Sequence, residues 1–132
     1  MEIDILPKMA RAQIHIVFIV VPRFNIATLI TMIETLRIAN YLAPTSTFSW
    51  EVASFDGSKI TASNGMTATI KTANDNLQSA EFVFILGSWG TEHYHNKKLT
   101  AWLIKRVRAG ERICGVESVS YTHLTLPTIL RV

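Results

Sequence analysis

The stretch that decides the fold is IHIVFIVVPRFNIATLITMIETLRIANYL, residues 14–42. Its first eight residues are almost all β-branched or aromatic, which predicts a strand covered on both faces. The segment PRFN then breaks the strand, and Asn25 is well suited to cap a helix. Helical spacing predicts that helix over about residues 26–42, with a sheet-facing stripe of Ile26, Leu29, Ile30, Ile33 and Leu36.

Two more apolar segments repeat this alternation of strand and helix. FVFILGS (residues 82–88) predicts a second buried strand, and RICGV (residues 112–116) predicts a third. Between them, residues 96–110 form an amphipathic pattern whose inward positions are Leu99, Trp102, Leu103 and Val107. Buried strands that alternate with helices predict an α/β fold with a parallel sheet and right-handed crossovers.

The segment between the first helix and the second buried strand has a different pattern. FSWEVASFDG (residues 48–57) alternates in part and closes on an Asp-Gly turn. Residues 59–72 form two short β-like pieces divided by Asn64-Gly65, a strong hairpin signal. NDNLQSAE (residues 74–81) predicts a short helix or a loop. We therefore expect a small β insert between the two halves of the sheet.

Composition limits the class of protein. The chain has 132 residues, 48% hydrophobic and 17% charged, which is typical of one globular domain. Its net charge of +3 is too small to indicate nucleic-acid binding by itself. The single cysteine, Cys114, excludes an internal disulfide. No apolar run approaches the roughly 20 residues of a membrane helix, so we expect a cytoplasmic protein that does not associate with membranes.

Both ends of the chain differ from its middle. Residues 1–13 lack the features of a signal peptide and predict a disordered tail. The transposon-end adapter used to prepare sequencing libraries can encode the segment VSYTHLTLPT, residues 119–128. We therefore expect residues 119–132 to be non-native and the authentic sequence to end near Ser118. The alternative is a natural β-rich terminus.

Three blocks carry short motifs in order. Pro22 and Phe24 supply P-x-F, and the first helix ends in E-x-L-R-x-A-N, from Glu34 to Asn40. Trp50 begins W-x-x-x-S-x-D-G, which S-x-G follows at residues 63–65. The last block is AWLIKRVRAGERICGVES, residues 101–118. Over about residues 14–118 the chain resembles GlxA-type, AraC-family transcriptional regulators.

That resemblance implies a truncated ThiJ/PfpI-like domain, with a flavodoxin-like parallel sheet flanked by helices. It implies a module that senses a small effector, often related to an amino acid or a quaternary amine, and that forms a homodimer. A separate AraC-type domain, missing from this sequence, would bind promoter DNA. Because later strands and helices of the domain are absent, we expect the fold to be incomplete and one sheet face to be poorly covered.

Enzymes of the superfamily place a nucleophilic cysteine at a strand-to-helix elbow. Here the resemblance puts Glu117 at the elbow, whereas Cys114 lies three residues earlier and is expected to be a buried strand residue. The family's acidic residue on the first helix corresponds to the region of Ala27 and Thr28, and Glu34 lies about two turns further on. We therefore expect a binding module and no catalytic residues. The alternative is a stand-alone ThiJ/PfpI-like hydrolase or glyoxalase.

Ligands of parallel sheets bind beyond the carboxyl ends of the strands. We therefore predict that the effector-binding residues are Phe24, Asn25, Gly87, Ser88, Trp89, Gly90, Glu117 and Ser118. Trp89 is equally compatible with a dimer contact. We expect no cofactor, because the glycines near residue 87 lack the Lys-Ser/Thr pair of a phosphate loop.

Two other groups of residues suggest chemistry only weakly. His93 and His95 form an H-x-H pair, but no third ligand is apparent, so we expect a solvated loop and no metal. The basic group Lys97, Lys98, Lys105, Arg106 and Arg108 predicts a solvated helix face, on which Lys98, Lys105 and Arg108 point outward.

Overall fold

A computed structural model of the chain describes residues 13–43, 47–73, 76–89 and 93–116. The predicted tail at residues 1–13, apart from Gln13, and the adapter-like segment at residues 119–132 lie outside these ranges. In the part of the chain that is described, no helix has the length and apolar character needed to cross a bilayer.

Over the described residues, a five-stranded, fully parallel sheet forms the centre of the fold, as the alternation of strands and helices predicts. Its strands are β1 (Ile14–Val20), β2 (Phe48–Ser54), β5 (Lys71–Thr72), β6 (Phe82–Leu86) and β7 (Arg112–Val116). Their spatial order in the sheet is β5-β2-β1-β6-β7. The first strand therefore lies in the middle of the sheet, which explains its unbroken apolar sequence.

Two helices connect the strands, with bounds close to those predicted. Helix α1 (Ile26–Leu42) leads from β1 to β2, and helix α2 (Lys97–Arg108) leads from β6 to β7. Asn96 caps α2 by accepting hydrogen bonds from the backbone N–H groups of Lys98 and Leu99. Gly110, two residues beyond the helix, has φ of 90°, a left-handed conformation that glycine adopts without steric cost.

The two helices cover opposite faces of the sheet, because the chain leaves β1 and β6 in opposite directions along it. Successive residues of β1 alternate between the faces. Phe18 and its neighbours Ile16 and Val20 pack in the cluster that includes Leu29 of α1. The intervening residues pack with α2 in a second cluster, whose members from these elements are Val17, Ile19, Leu99, Trp102 and Leu103.

The predicted hairpin is present. Strands β3 (Lys59–Thr61) and β4 (Thr67–Thr69) pair antiparallel around Asn64-Gly65. Asn64 Oδ1 accepts a hydrogen bond of 2.9 Å from the backbone N–H of Met66, and Gly65 has φ of 91°. The segment at residues 74–81 contains no helix over its described residues, 76–81.

Three details differ from the sequence predictions. The segment expected to form a small β insert instead supplies β2 and β5 to the central sheet, because β2 pairs in parallel with β1, whereas β3 and β4 form a separate hairpin. Ile30 belongs to the predicted sheet-facing stripe, yet 51% of its side chain is exposed, because the sheet lies under the neighbouring flank of α1. Cys114 is a strand residue as expected, but it is half-buried and not fully enclosed.

A groove remains between α1 and the sheet. It has a volume of about 320 Å³ and is lined by Ile16, Phe18, Thr31, Met32, Thr35, Leu36, Phe82 and Phe84. Phe82 and Phe84 stack with ring centroids 6.1 Å apart, and both remain half-buried. The sheet face over β6 is therefore less well covered than the face that α2 occupies.

A buried polar cluster lies at the opposite end of the sheet from the loops that follow β1 and β6. His15 is 8% exposed; its Nε2 lies 2.8 Å from Glu51 Oε2 and its Nδ1 lies 2.8 Å from Ser49 Oγ. Glu51 also accepts hydrogen bonds from Lys71 Nζ at 2.7 Å and from the backbone N–H of Gln78 at 3.0 Å. The cluster joins β1, β2, β5 and the segment before β6.

Candidate functional site

The ends of three strands meet at one side of the sheet, which we call the carboxyl edge. The backbone N–H of Val21 donates to the carbonyl of Leu86 at 3.2 Å, and the N–H of Gly87 donates to the carbonyl of Val116 at 3.4 Å. The turns that follow β1 and β6 are therefore held side by side, as the parallel topology requires.

The turn after β1 has an unusual backbone. Arg23 has φ of 71°, a left-handed conformation that costs a non-glycine residue about 1–2 kcal/mol. Its N–H donates to the carbonyl of Thr61 at 2.8 Å, and the N–H of Ser63 donates to the carbonyl of Phe24 at 2.9 Å. These bonds fix the β3–β4 hairpin against the turn, so the hairpin forms one wall of the carboxyl edge.

Asn25 connects the turn with both a helix and a loop. Its Oδ1 accepts hydrogen bonds from the N–H groups of Ala27 at 3.0 Å and Thr28 at 3.3 Å, which caps α1 as predicted. Its own N–H donates to the carbonyl of Gly87 at 3.0 Å. The Asn25 side-chain oxygen is thus engaged by the helix, while its backbone ties α1 to the loop after β6.

The structure brings together five of the eight residues predicted to bind an effector. Phe24 is fully buried and supports the turn from within the core. Gly87 is buried, Ser88 is half-buried, and Trp89 is 81% exposed. With Asn25, these residues form the carboxyl edge, and Trp89 offers the largest accessible side chain there. Gly90, Glu117 and Ser118 lie outside the described residues.

A second polar cluster at the carboxyl edge was not predicted. Asp56, just beyond the end of β2, accepts a hydrogen bond of 2.7 Å from the Tyr94 hydroxyl and one of 3.3 Å from Asn96 Nδ2. Burial and the adjacent Asp56 carboxylate raise the pKa of Tyr94 well above its ordinary value of 10. The cluster anchors the segment that follows Trp89 to the end of β2.

A sequence motif accounts for one member of this cluster, Asp56, but not for the other. In the W-x-x-x-S-x-D-G motif, Ser54 Oγ accepts a hydrogen bond of 2.8 Å from the N–H of Asp56, and Gly57 has φ of 104°. The motif therefore forms a tight turn that presents Asp56. Its partner Tyr94 is 38 residues away along the chain, a separation that no local pattern reports.

The lone thiol does not lie at the carboxyl edge. Cys114 is the third residue of β7 and pairs in register with Phe84, with two strand residues still to follow before the strand ends. Among the residues that the structure describes, the edge therefore presents hydroxyl, amide, carboxylate and indole groups but no thiol. A buried or half-buried strand cysteine is typical of packing and not of nucleophilic catalysis.

The remaining candidates have ordinary surroundings. His93 and His95 are exposed, and over the described ranges no three His, Cys, Asp or Glu side chains are grouped so that they could hold a metal ion. On α2, Lys97, Lys98, Lys105 and Arg108 are exposed.

Arg106 makes internal contacts and is not part of the exposed basic surface of α2. Its guanidinium donates to the carbonyls of Leu77 and Gln78 at 2.8 and 2.7 Å and to Glu111 at 2.8 Å. It also lies 4.4 Å from the ring centroid of Trp102. This residue holds the segment before β6 against α2.

Comparison with known proteins identifies regulators of transcription as relatives. The HTH-type transcriptional regulator GbdR of Pseudomonas aeruginosa is 27% identical over 110 residues, which cover 83% of this chain and 30% of GbdR. The HTH-type transcriptional regulator CdhR of the same species is 28% identical over 103 residues, covering 78% of this chain and 30% of CdhR. The chain thus spans about 30% of the length of these relatives. No protein-family model matches it.

Solved structures share the fold. An AraC family transcriptional regulator from Pseudomonas putida superposes with a TM-score of 0.69 at 19% identity, covering 77% of this chain and 63% of that one. A DJ-1 superfamily protein from Agrobacterium tumefaciens gives a TM-score of 0.57 at 18% identity, covering 78% and 53%. The predicted flavodoxin-like α/β fold and the predicted resemblance to AraC-type regulators are confirmed.

Proposed function

We propose that this chain is the effector-sensing part of an AraC-type transcriptional regulator and that it binds a small molecule at the carboxyl edge without transforming it. The similarity to two HTH-type regulators carries this proposal. Because the chain spans about 30% of their length, DNA binding would belong to a part of the regulator outside it. A regulator that binds promoter DNA works in the cytoplasm, and we propose that location for this reason.

The geometry of the carboxyl edge supports recognition of a ligand. An accessible indole, that of Trp89, lies in one short loop, residues 87–89, at this edge. Aromatic faces attract quaternary ammonium groups. An effector of the quaternary-amine class, or an amino acid through its ammonium group, would therefore find a cation-binding aromatic face at Trp89.

The absence of catalysis follows in this proposal from the placement of the thiol. Superfamily chemistry needs a thiolate at the strand end, and Cys114 lies within β7 instead. Glu117, outside the described residues, is proposed to stand at the elbow, where a carboxylate can bind a cationic ligand but cannot replace sulfur as nucleophile.

Binding is tested by isothermal titration calorimetry with choline, tetramethylammonium and the proteinogenic amino acids. At least one should bind the wild-type chain, and Trp89→Ala should weaken that binding by about tenfold or more. The matched control is Leu42→Ala, which removes another exposed apolar side chain at the far end of α1 and should leave affinity unchanged. Equal weakening by both variants would contradict a site at Trp89.

The competing enzyme hypothesis has its own test. Aldehyde and peptide substrates are offered to the wild-type chain and to Cys114→Ala, and product is followed by chromatography. We expect no turnover with either. Turnover that disappears in Cys114→Ala would overturn the proposal and identify a thiol enzyme.

A further inference from the structure

The outer flank of α1 carries a row of side chains that the fold leaves exposed. Ile30, Glu34, Arg37 and Tyr41 follow the spacing i, i+4, i+7 and i+11, which places them along one side of a helix. Ile30 is 51% exposed and Tyr41 is 84% exposed. The side chains of Glu34 and Arg37 are 47% and 58% exposed. We call this row the α1 stripe.

When the α1 stripe is read in the opposite direction, its apolar ends keep their places and its two charges exchange places. Large apolar residues, Ile30 and Tyr41, stand at its two ends, and opposite charges, Glu34 and Arg37, stand between them. Both pairs are centred on the same point, between residues 35 and 36. A row with this symmetry is complementary to a second copy of itself running in the opposite direction, which is the requirement for a two-fold interface.

We propose that two copies of this chain pair through the α1 stripe, with their α1 helices antiparallel. A two-fold axis through the midpoint of the stripe sets Ile30 against the partner's Tyr41 and Glu34 against the partner's Arg37, each contact occurring twice. Packed helices have axes 8–10 Å apart. Glutamate and arginine side chains can meet across that distance while the apolar ends exclude water.

The charge pattern is the reason for choosing a second copy as the occupant. Within one chain, Arg37 Nη2 lies 2.6 Å from Glu34 Oε1 and its Nε lies 3.0 Å from Oε2, but an exposed pair of this kind contributes little to stability. In the pair of helices the same groups form a ring of four alternating charges between two apolar contacts. Tyrosine and arginine are also the side chains that most often dominate interfaces.

The groove on the other flank of α1 is the alternative surface. Its helix side is formed by Thr31, Met32, Thr35 and Leu36, which carry no charge and so specify no register with a second copy. A variant on that flank therefore serves as the control for the α1 stripe.

The proposal deepens the dimer suggested for a sensor domain, and it rests on the proposed function only for that suggestion. The two fail separately: effector titration of a monomeric variant reports on sensing, while sedimentation reports on the interface. Since the α1 stripe and Trp89 lie on different elements, a monomeric variant should still bind the effector.

The experiment uses sedimentation equilibrium of the full 132-residue chain and its variants. Wild type should be a dimer. Glu34→Arg and Arg37→Glu should each be monomeric at the same concentration, with the dissociation constant raised by about 100-fold or more, because every dimer would contain two like-charge contacts. Circular dichroism melts establish that each variant is folded.

Two further samples make the result specific to this pairing. The double variant Glu34→Arg/Arg37→Glu exchanges the charges and should dimerise again. An equimolar mixture of the two single variants should form a heterodimer, since the stripe of Glu34→Arg carries only positive charges and would face the wholly negative stripe of Arg37→Glu. Thr35→Arg, on the groove flank, is the matched control and should remain a dimer.

Three outcomes would overturn the proposal. The first is a wild-type chain that stays monomeric at high micromolar concentration. The second is dissociation by Thr35→Arg with retention of the dimer in Glu34→Arg, which would assign the interface to the groove. The third is failure of the double variant and of the mixture to associate although both are folded.

Discussion

Acid should lower the free energy of unfolding of this protein by protonating the carboxylate of Glu51. Burial by itself would raise the pKa of Glu51, but the hydrogen bonds from Lys71, Gln78 and His15 outweigh it and hold that pKa at about 2, against an ordinary value of 4.5. The Glu51 side chain is 11% exposed, so these donors are not replaced readily by water. The substitution Glu51→Gln keeps the shape and removes the charge.

The size of the effect follows from the change in pKa. A pKa lowered from 4.5 to about 2 corresponds to at most about 3.5 kcal/mol, at roughly 1.4 kcal/mol for each tenfold change in proton affinity. Lys71 is 48% exposed, so solvent screens part of this and we expect about 1–2 kcal/mol. Since the folded pKa lies below the unfolded one, the contribution is complete above pH 4.5 and is lost as the pH falls towards 2.

The assay is urea unfolding of wild type and Glu51→Gln between pH 6 and pH 2.5, followed by tryptophan fluorescence. Wild type should exceed the variant by about 1–2 kcal/mol at pH 6, and the gap should shrink to about a quarter of that near pH 2.5. Lys71→Met, which removes the closest donor, should show a smaller dependence on pH than wild type. A gap between wild type and Glu51→Gln that stays constant over this range would refute the reasoning.

Substitutions at three other positions probe the turns and the carboxyl edge. Tyr94→Phe should lower the free energy of unfolding by about 1 kcal/mol through loss of the bond to Asp56; because the pKa of Tyr94 is raised, the folded variant and wild type should show the same phenolate absorbance at pH 10. Asn25→Ala should cost about 1 kcal/mol in urea unfolding, whereas Asn25→Asp should cost less, since only the second retains a capping oxygen. Gly65→Ala should cost about 1 kcal/mol in a thermal melt because of the positive φ alone, as a Cβ there would meet nothing within 4 Å; an unchanged melting temperature would contradict that assignment.

Local sequence signals predicted the elements of this fold well. The break at PRFN, the helix cap at Asn25 and the Asn64-Gly65 turn each depend on residues within a few positions of one another, so they can be read from the sequence almost directly. The predicted first helix has the bounds of α1, and the predicted third strand has those of β7. The alternation of buried strands with helices then predicted a parallel sheet.

Contacts between distant residues could not be read in the same way. The spacing of Ile30 fits an inward stripe, but its exposure depends on how α1 is rotated over β1 and β2, which only the assembled sheet determines. Arg106 belongs by sequence to a basic helix face, yet it is held by Trp102, Glu111 and two carbonyls from the segment before β6. Tyr94 and Asp56 show no local sign of their contact. Tertiary packing decided each of these positions.

The double role of Asn25 gives the molecule a mechanical link. Its backbone N–H donates to the Gly87 carbonyl, and its side-chain oxygen accepts from the first turn of α1. A movement of the loop that keeps both hydrogen bonds therefore also moves the start of the helix. A ligand that displaces the loop beside Trp89 would therefore also displace the N-terminus of α1. Because α1 is one continuous helix of 17 residues, a shift at its start would change the position of the helix as a whole.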